Sequence, residues 1–365
     1  MKLKLVALHT KGQKKRFVEF IYGLYAGDRS WVDSSLFVLK MFLYQTDTFT
    51  RQNFIRPIAV QEDGRTLAQC ILIHDPRLLY LQVGFFDALP DQAEAVHMLL
   101  DEANIAARMK GVDKVVIGLH GHVSYGVGML MPGSEKKISF DSLYNKPYYC
   151  GYFEVPGLER HTLSTYTFKL DDVRQRIAGL GRTYEEFSFR TMRLNDYKKE
   201  MILFGKLCNR CLHDTFLYFD RDPENLFELM SGLKPLLRSE HLIFALKNDR
   251  EVGFFFWHPD YNAVLPPGRK NSLVALMARY YVLKSRIDTV KINAVGVLPE
   301  YQRTGAIVGL FDAALRRAPA RFVYGETNFV WDCNRNSRML NLRLENTVDR
   351  TYAVYCMEIA QGGCL

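Results

Sequence analysis

Apolar positions fall into two rhythms along this chain. Alternation runs through Leu3-Lys-Leu-Val-Ala-Leu8 and predicts a first strand, and the stretch "KKRFVEFIYGLYA" then shifts to a helical period that Gly27-Asp28 closes. In "RPIAVQEDGRTLAQCILIHD" two alternating runs flank the polar turn Glu62-Asp-Gly-Arg65, a hairpin pattern. The strand "LLYLQVGFFDAL", the helix "DQAEAVHMLLDEANIAARMKG" and the strand "DKVVIGL" follow, and "YCGYFEV" with "HTLSTYTFKL" read as a finishing pair of strands.

The order then recurs. "FSFRTM" is a strand, "DYKKEMILFGKLCNRCLH" a helix, and "LIFALKNDREVGFFFWHPD" a hairpin turning at Asn248-Asp-Arg-Glu251. After these come the strand "DTVKINAVGV", a loop, a helix through Ile307, Leu310, Phe311 and Leu315, the strand "RFVYGET", the helical "NSRMLNLRLEN" and the strand "TYAVYCMEI". Each half carries its polar hairpin turn at a similar distance from its start, which points to duplication. The boundaries read as residues 1–170 for one domain, 171–186 for a polar, Gly-broken linker with a short helix, and 187–365 for the second domain.

A chain of 365 residues is long enough for two ordinary domains. Its 48% apolar and 24% charged residues are a soluble globular balance. No apolar run approaches the roughly 18 residues of a membrane span, and the N-terminus lacks the pattern of a signal peptide. Seven scattered cysteines make no disulfide framework, so the expected compartment is the cytoplasm. Cys208 and Cys211 with His213, and the pair His120 and His122, lack further ligands at zinc-site spacing; no metal is expected. The net charge of +8 is spread over both halves without a basic stripe, which argues against nucleic acid and for a small polyanion or an acidic protein partner.

The chemistry concentrates in "GVLPEYQRTGAIVGLFDAAL", residues 296–315. A strand ends here in a loop punctuated by Pro299 and Gly305, and a helix begins. The first amides of such a helix face back toward the strand end, where the dipole favours an anion. Amides from Arg303 to Ile307, with the Arg303 side chain, could cradle a pyrophosphate; an ordinary surface turn with a solvated Arg303 is the alternative.

On these residues the second half resembles a GCN5-related N-acetyltransferase (GNAT) domain, whose pyrophosphate loop reads Gln/Arg-x-x-Gly-x-Gly/Ala. The loop here is Gln302-Arg303-Thr304-Gly305-Ala306-Ile307, with Ile in the last small position. Nearly end to end, the chain is similar to bacterial tandem GNAT-like proteins of about its own length, through "FVEFIYGLYAGDRSWV", "GFFDA", "LYNKPYYCGYFE", "HPDYNAVL" and "ETNFVWDCNRNSRM". The resemblance implies an α+β fold with a mixed sheet, two acyl-CoA N-acyltransferase-like domains in tandem. It also implies an acyl donor, coenzyme A or the phosphopantetheine of an acyl carrier protein, held by the loop, by backbone near Val295 and Val297, and by Asn336 in the last helix.

Acyl transfer to an amine further needs a base, an oxyanion donor and an acid for the thiol. Glu326, ending its strand beside Phe322, Tyr324 and Phe329, is either that base or an ion-pair partner. Seven residues after Asn336 the family's acidic Tyr is replaced by Arg343, leaving Tyr355 or Tyr352 on the last strand either to substitute or to serve as core or edge residues; in the first half Asn145 is followed at that spacing by Tyr152. The first half has Pro90 and Asp91-Gln92 in place of a phosphate loop, so it is not expected to bind a thioester. Ser124, Tyr144, Asn145 and Tyr149 read instead as one wall of an acceptor cleft, with Tyr324 and with Asp260 and Asn262 of "PDYN", alternatively turn formers, on the other. The expected function is N-acyl transfer from acyl-CoA or an acyl carrier protein to a small amine held between the domains. A catalytically silent GNAT-fold binding protein and an aminoacyl-tRNA-dependent transferase are the alternatives.

Overall fold

The computed structural model describes residues 2–34, 36–134, 136–179 and 184–359; part of the expected linker, 180–183, lies outside them. In chain order the first elements are β1 (Lys4–Ala7), α1 (Lys11–Leu24), α2 (Leu36–Tyr44), α3 (Thr48–Gln52), β2 (Phe54–Glu62), β3 (Arg65–His74), β4 (Tyr80–Ala88), α4 (Ala93–Met109), β5 (Lys114–Ile117) and β6 (Met129–Leu130). A 3-10 helix at Pro147–Tyr152 precedes β7 (Leu158–Lys169) and α5 (Leu170–Gly179). Then come β8 (Ser188–Thr191), α6 (Tyr197–Leu212), α7 (Pro223–Ser231), β9 (Leu242–Lys247), β10 (Arg250–Pro259), α8 (Leu273–Leu283), β11 (Thr289–Val297), α9 (Ala306–Arg317), β12 (Tyr324–Thr327), β13 (Val330–Trp331), α10 (Arg335–Arg343) and β14 (Thr347–Glu358).

Two compact units form. Unit 1 holds Met1–Leu163, Pro266–Asn271 and Arg350–Leu365; unit 2 holds Ser164–Leu265 and Ser272–Asp349. This corrects the sequence boundaries: most of β14 packs with the first half, and the second part of β7 with the second half. A long-range pairing decides each case. In unit 1, β14 runs antiparallel to β5, with Tyr355 opposite Ile117. In unit 2, β12 pairs antiparallel with the end of β7, with Glu326 opposite Thr167.

Within each unit the plan is the same. Strands β1 to β4 form an antiparallel run and β5 adds in parallel to β4; β8 to β11 and β12 repeat this. The hairpin turns repeat as well, because two consecutive left-handed residues match the twist of paired strands. Asp63 and Gly64 (φ 48° and 82°) turn β2 into β3, and Asn248 and Asp249 (φ 50° and 59°) turn β9 into β10. Helix α4 lays Val96, Leu99, Leu100 and Ala103 on the unit 1 sheet, and α9 does the same in unit 2 with Leu310, Phe311 and Ala314. The expected strand "YCGYFEV" falls instead on the 3-10 helix. Its tyrosine hydroxyls take backbone partners of the β4–α4 connection, which a strand's alternation would not allow.

Candidate functional site

In unit 2 the site begins where two parallel strands part. Pairs run from Thr289 opposite Tyr324 to Ile292 opposite Thr327, and the last link is the Asn328 amide donating to the Ile292 carbonyl (2.7 Å). Beyond it β11 continues alone on that side, and a register shift against β10 at Asn293 marks a bulge. The Leu298 amide donates to the Val252 carbonyl beside β10 (2.8 Å). Backbone groups alternate sides along a strand, so the amides of Val295 and Val297 face away from β10 into the gap. The sequence reading points to the same two residues.

At the far end of β11 the loop turns through two left-handed residues, Arg303 (φ 64°) and Gly305 (φ 85°), before α9 starts at Ala306. Thr304 fixes it by donating its hydroxyl to the Tyr301 carbonyl (2.7 Å). The amides of Arg303, Thr304, Gly305, Ala306 and Ile307 donate to no acceptor among the described residues, and no side chain caps the helix. Gln302 and Arg303 are exposed. Unused donors, left-handed backbone and a helix N-terminus together make a cradle that an anion fits.

Other expected residues have different work. Glu326 is buried and accepts from the Lys291 ammonium at 2.6 Å, with neither side chain more than 7% exposed. This pairing replaces the proton-accepting role with a charge-pairing one: a carboxylate holding a buried ammonium is not free to take a substrate's proton. Tyr355 lies in the unit 1 core, against Phe153, and burial pushes its phenol well up. It therefore belongs to unit 1, whereas the loop belongs to unit 2. Asn336 stands exposed in the first turn of α10, while Asn334 caps that helix by accepting from the Ser337 amide. Asp260 accepts from the Asn262 amide (3.1 Å) as a turn former, Asn262 is buried, and Tyr324 is 43% exposed at the start of β12.

Unit 1 has the same parting of strands. Pairing of β4 with β5 ends at Val83 opposite Ile117, the Gly118 amide donates to the Val83 carbonyl, and a bulge with Phe85 at φ 51° follows. What comes next differs. Tyr149 accepts from the Ala88 amide (2.9 Å), Tyr152 accepts from the Gln92 amide (3.0 Å) and donates to Leu89, and Tyr148 donates to Ala88. These hydroxyls, with Asp91 beside them, occupy the groups that a phosphate would need. Asn145 is likewise consumed: its amide group ties both backbone groups of Leu130 and the Lys146 carbonyl. Tyr144 donates to Asp28, and Ser124 bonds the His122 ring.

The gap in unit 1 holds a cavity of about 80 Å³ that Tyr144, Asn145 and Tyr149 help to line, with Asp87 in its wall. Sequence reasoning misses Asp87; an acidic residue inside the apolar run "GFFDAL" is the signal that could have found it. Ser124 does not reach this cavity. Among the described residues no group of three His, Cys, Asp or Glu side chains is placed to hold a metal, and no helix is long and apolar enough to cross a membrane. Cys208 and Cys211 are free thiols on α6 whose ionisation burial opposes; Cys211 is pushed up to about 12.

No family model and no curated protein matches the sequence. Solved structures do match the fold. A tandem GNAT protein from the clavulanic acid biosynthesis pathway superposes with a TM-score of 0.58 at 12% identity, over 99% of this chain and 100% of that one. A GCN5-related N-acetyltransferase from Sphaerobacter thermophilus gives 0.53 at 12%, over 100% and 98%. A protein of unknown function from Enterococcus faecalis V583, described as a probable N-acyltransferase, gives 0.55 at 10%, over 98% and 73%. The chain has the tandem GNAT fold.

Proposed function

We propose that this chain of two GNAT folds is an N-acyltransferase that uses unit 2 to hold an acyl donor, coenzyme A thioester or the phosphopantetheine of an acyl carrier protein, and passes the acyl group to a small amine. The observation that carries this reading is the pairing of two features on one strand. Strand β11 leaves its parallel neighbour after Ile292, and it ends in a loop where the consecutive amides from Arg303 to Ile307 have no acceptor among the described residues. One feature accepts a pantetheine arm alongside a strand, the other a pyrophosphate.

When bound, the donor supplies an activated acyl carbonyl. The protein's part is to bind and orient. Amides from Arg303 to Ile307 and the exposed Arg303 guanidinium take phosphate oxygens. The gap-facing amides of Val295 and Val297 are the donors available to the pantetheine and to charge developing on the acyl oxygen. No carboxylate is assigned as base, because Glu326 is engaged by Lys291. The second reading, a silent binding protein, draws support from that engagement and from Arg343 standing where an acidic Tyr would.

Gly305→Glu tests the donor site. Its φ of 85° strains any side chain. A carboxylate there also repels phosphate. Calorimetry with coenzyme A should register binding to the parent and at least a hundredfold loss in the variant, with circular dichroism unchanged. Equal binding would remove the loop from the function.

A further inference from the structure

The unit 1 cavity has no part in the donor site, and its walls define a ligand of their own. It opens in the gap where β4 leaves β5. At one end stands Asp87, 7% exposed, whose Oδ1 accepts from Tyr25 (2.8 Å) and Tyr149 (3.1 Å). No protein group donates to its Oδ2 among the described residues. Oδ2 is not among the fully enclosed atoms, and Asp87 lines the cavity, so this oxygen is open to a donor placed there. Tyr25, Trp31, Phe85, Phe86 and Tyr144 contribute aromatic surface around it.

Charge in the surroundings narrows the choice. Lys146, the ammonium that acts on Asp87, is already bound to Asp28 at 2.7 Å, so the two cancel. His120, stacked on Phe85 at 4.1 Å, is held neutral by burial, with its pKa lowered to about 3, and its Nδ1 has no hydrogen-bond partner among the described residues. A carboxylate with an unused oxygen, aromatic walls and no unpaired cation among the described lining residues suit an organic ammonium, whose charge meets the carboxylate and whose alkyl groups meet the rings. An anionic thioester fits badly, because the tyrosine hydroxyls and Asp91 fill the phosphate position. The volume admits a small ligand, on the order of five to eight non-hydrogen atoms. Phe85, His120, Leu143 and Tyr144 are the partly exposed members of the lining, and a ligand would enter past them.

We infer that unit 1 carries a separate binding site for a small organic ammonium ion, anchored on Asp87 Oδ2 and enclosed by the aromatic residues of the β4–β5 gap. This does not depend on the acyl-transfer reading. The test is calorimetric titration of the full chain at pH 8 with tetramethylammonium, with choline, and with 3,3-dimethylbutan-1-ol, the uncharged carbon analogue of choline. The cations should bind saturably and at least tenfold more tightly than the alcohol. Asp87→Asn should weaken them at least tenfold, and Gly305→Glu should leave them unchanged. Failure of both cations to saturate would mean the cavity holds water only and would sink the proposal, as would equal affinity for the alcohol. If Asp87→Asn fails to fold, the cation-to-alcohol ratio on the parent chain decides alone.

Discussion

Asp87 makes a stability signature that is opposite in sign to that of most carboxylates. Burial is the main cause of its rise from the ordinary 3.8 to about 7, offset in part by the Tyr25 and Tyr149 hydroxyls and by Lys146. Two neighbouring groups, His120 and Asp28, are both shifted down on folding, which gives the reverse pH slope, so neither mimics it. The folded chain therefore keeps a proton between about pH 4 and 7 that the unfolded chain has lost. Its stabilising share is whole below about pH 4 and gone above about pH 7, falling by roughly 1.4 kcal/mol per pH unit, or about 4 kcal/mol in all. Asp87→Asn has no such slope. Urea unfolding of both chains from pH 5 to 8 should show the variant gaining on the parent as pH rises; a constant difference would mean that Asp87 is ionised throughout. Little of this is legible in the sequence. "GFFDA" displays the acid, but the two tyrosines that bond it lie 62 residues away in each direction, on elements that only folding brings together.

Among the elements, β11 and β12 illustrate how one ion pair can set a shape. Lys291 and Glu326 face each other one step before the last pair of these strands, at the apex of the gap. Removing one charge strands the other in a buried place, which costs about 3–5 kcal/mol, whereas removing both costs less. Glu326→Gln should therefore lower the urea midpoint strongly, and Lys291→Met with Glu326→Gln should recover part of the loss. A Glu326→Gln chain as stable as the parent but slower in acyl transfer would restore the carboxylate as a base. The sequence shows Glu326 at the end of its strand but not its partner, because register between parallel strands is set by the whole crossover and not by nearby residues. Local signals serve better where the structure is local. Asp63-Gly64 and Asn248-Asp249 announce their hairpins, and Gly305 announces the turn into α9. Helices α2, α3, α7 and α8 are harder to see, since a run such as "LFVLKMFLY" is apolar on nearly every side and shows no period.

At the scale of the molecule, the chain passes from one unit to the other after Leu163, Leu265, Asn271 and Asp349. The excursion at Pro266–Asn271 is tied to unit 1 by backbone: Gly27 donates to Gly268, Gly268 to Trp31 (each 2.9 Å), and Asn271 to the Asp33 carboxylate (3.0 Å). A side chain at Gly268 would come within 2.8 Å of the backbone at Gly27 and Asp28, so only glycine serves there. The two repeats are visible in the sequence; the exchange of their last strands is not, since nothing local tells "TYAVYCMEI" which β-edge it will meet. A fragment spanning 1–170 should consequently melt without cooperativity by circular dichroism, and supplying a 347–365 peptide alongside it should sharpen the transition; a fragment that melts sharply alone would mean unit 1 does not need β14. The same exchange has a consequence during synthesis. A ribosome delivers the first half long before Arg350 to Glu358, so β5 must wait, its edge unpaired, while nearly two thirds of the chain is still being translated. The protein is thus most exposed to mispairing before its release, and a stalled or prematurely terminated message would yield an aggregation-prone product instead of a working half.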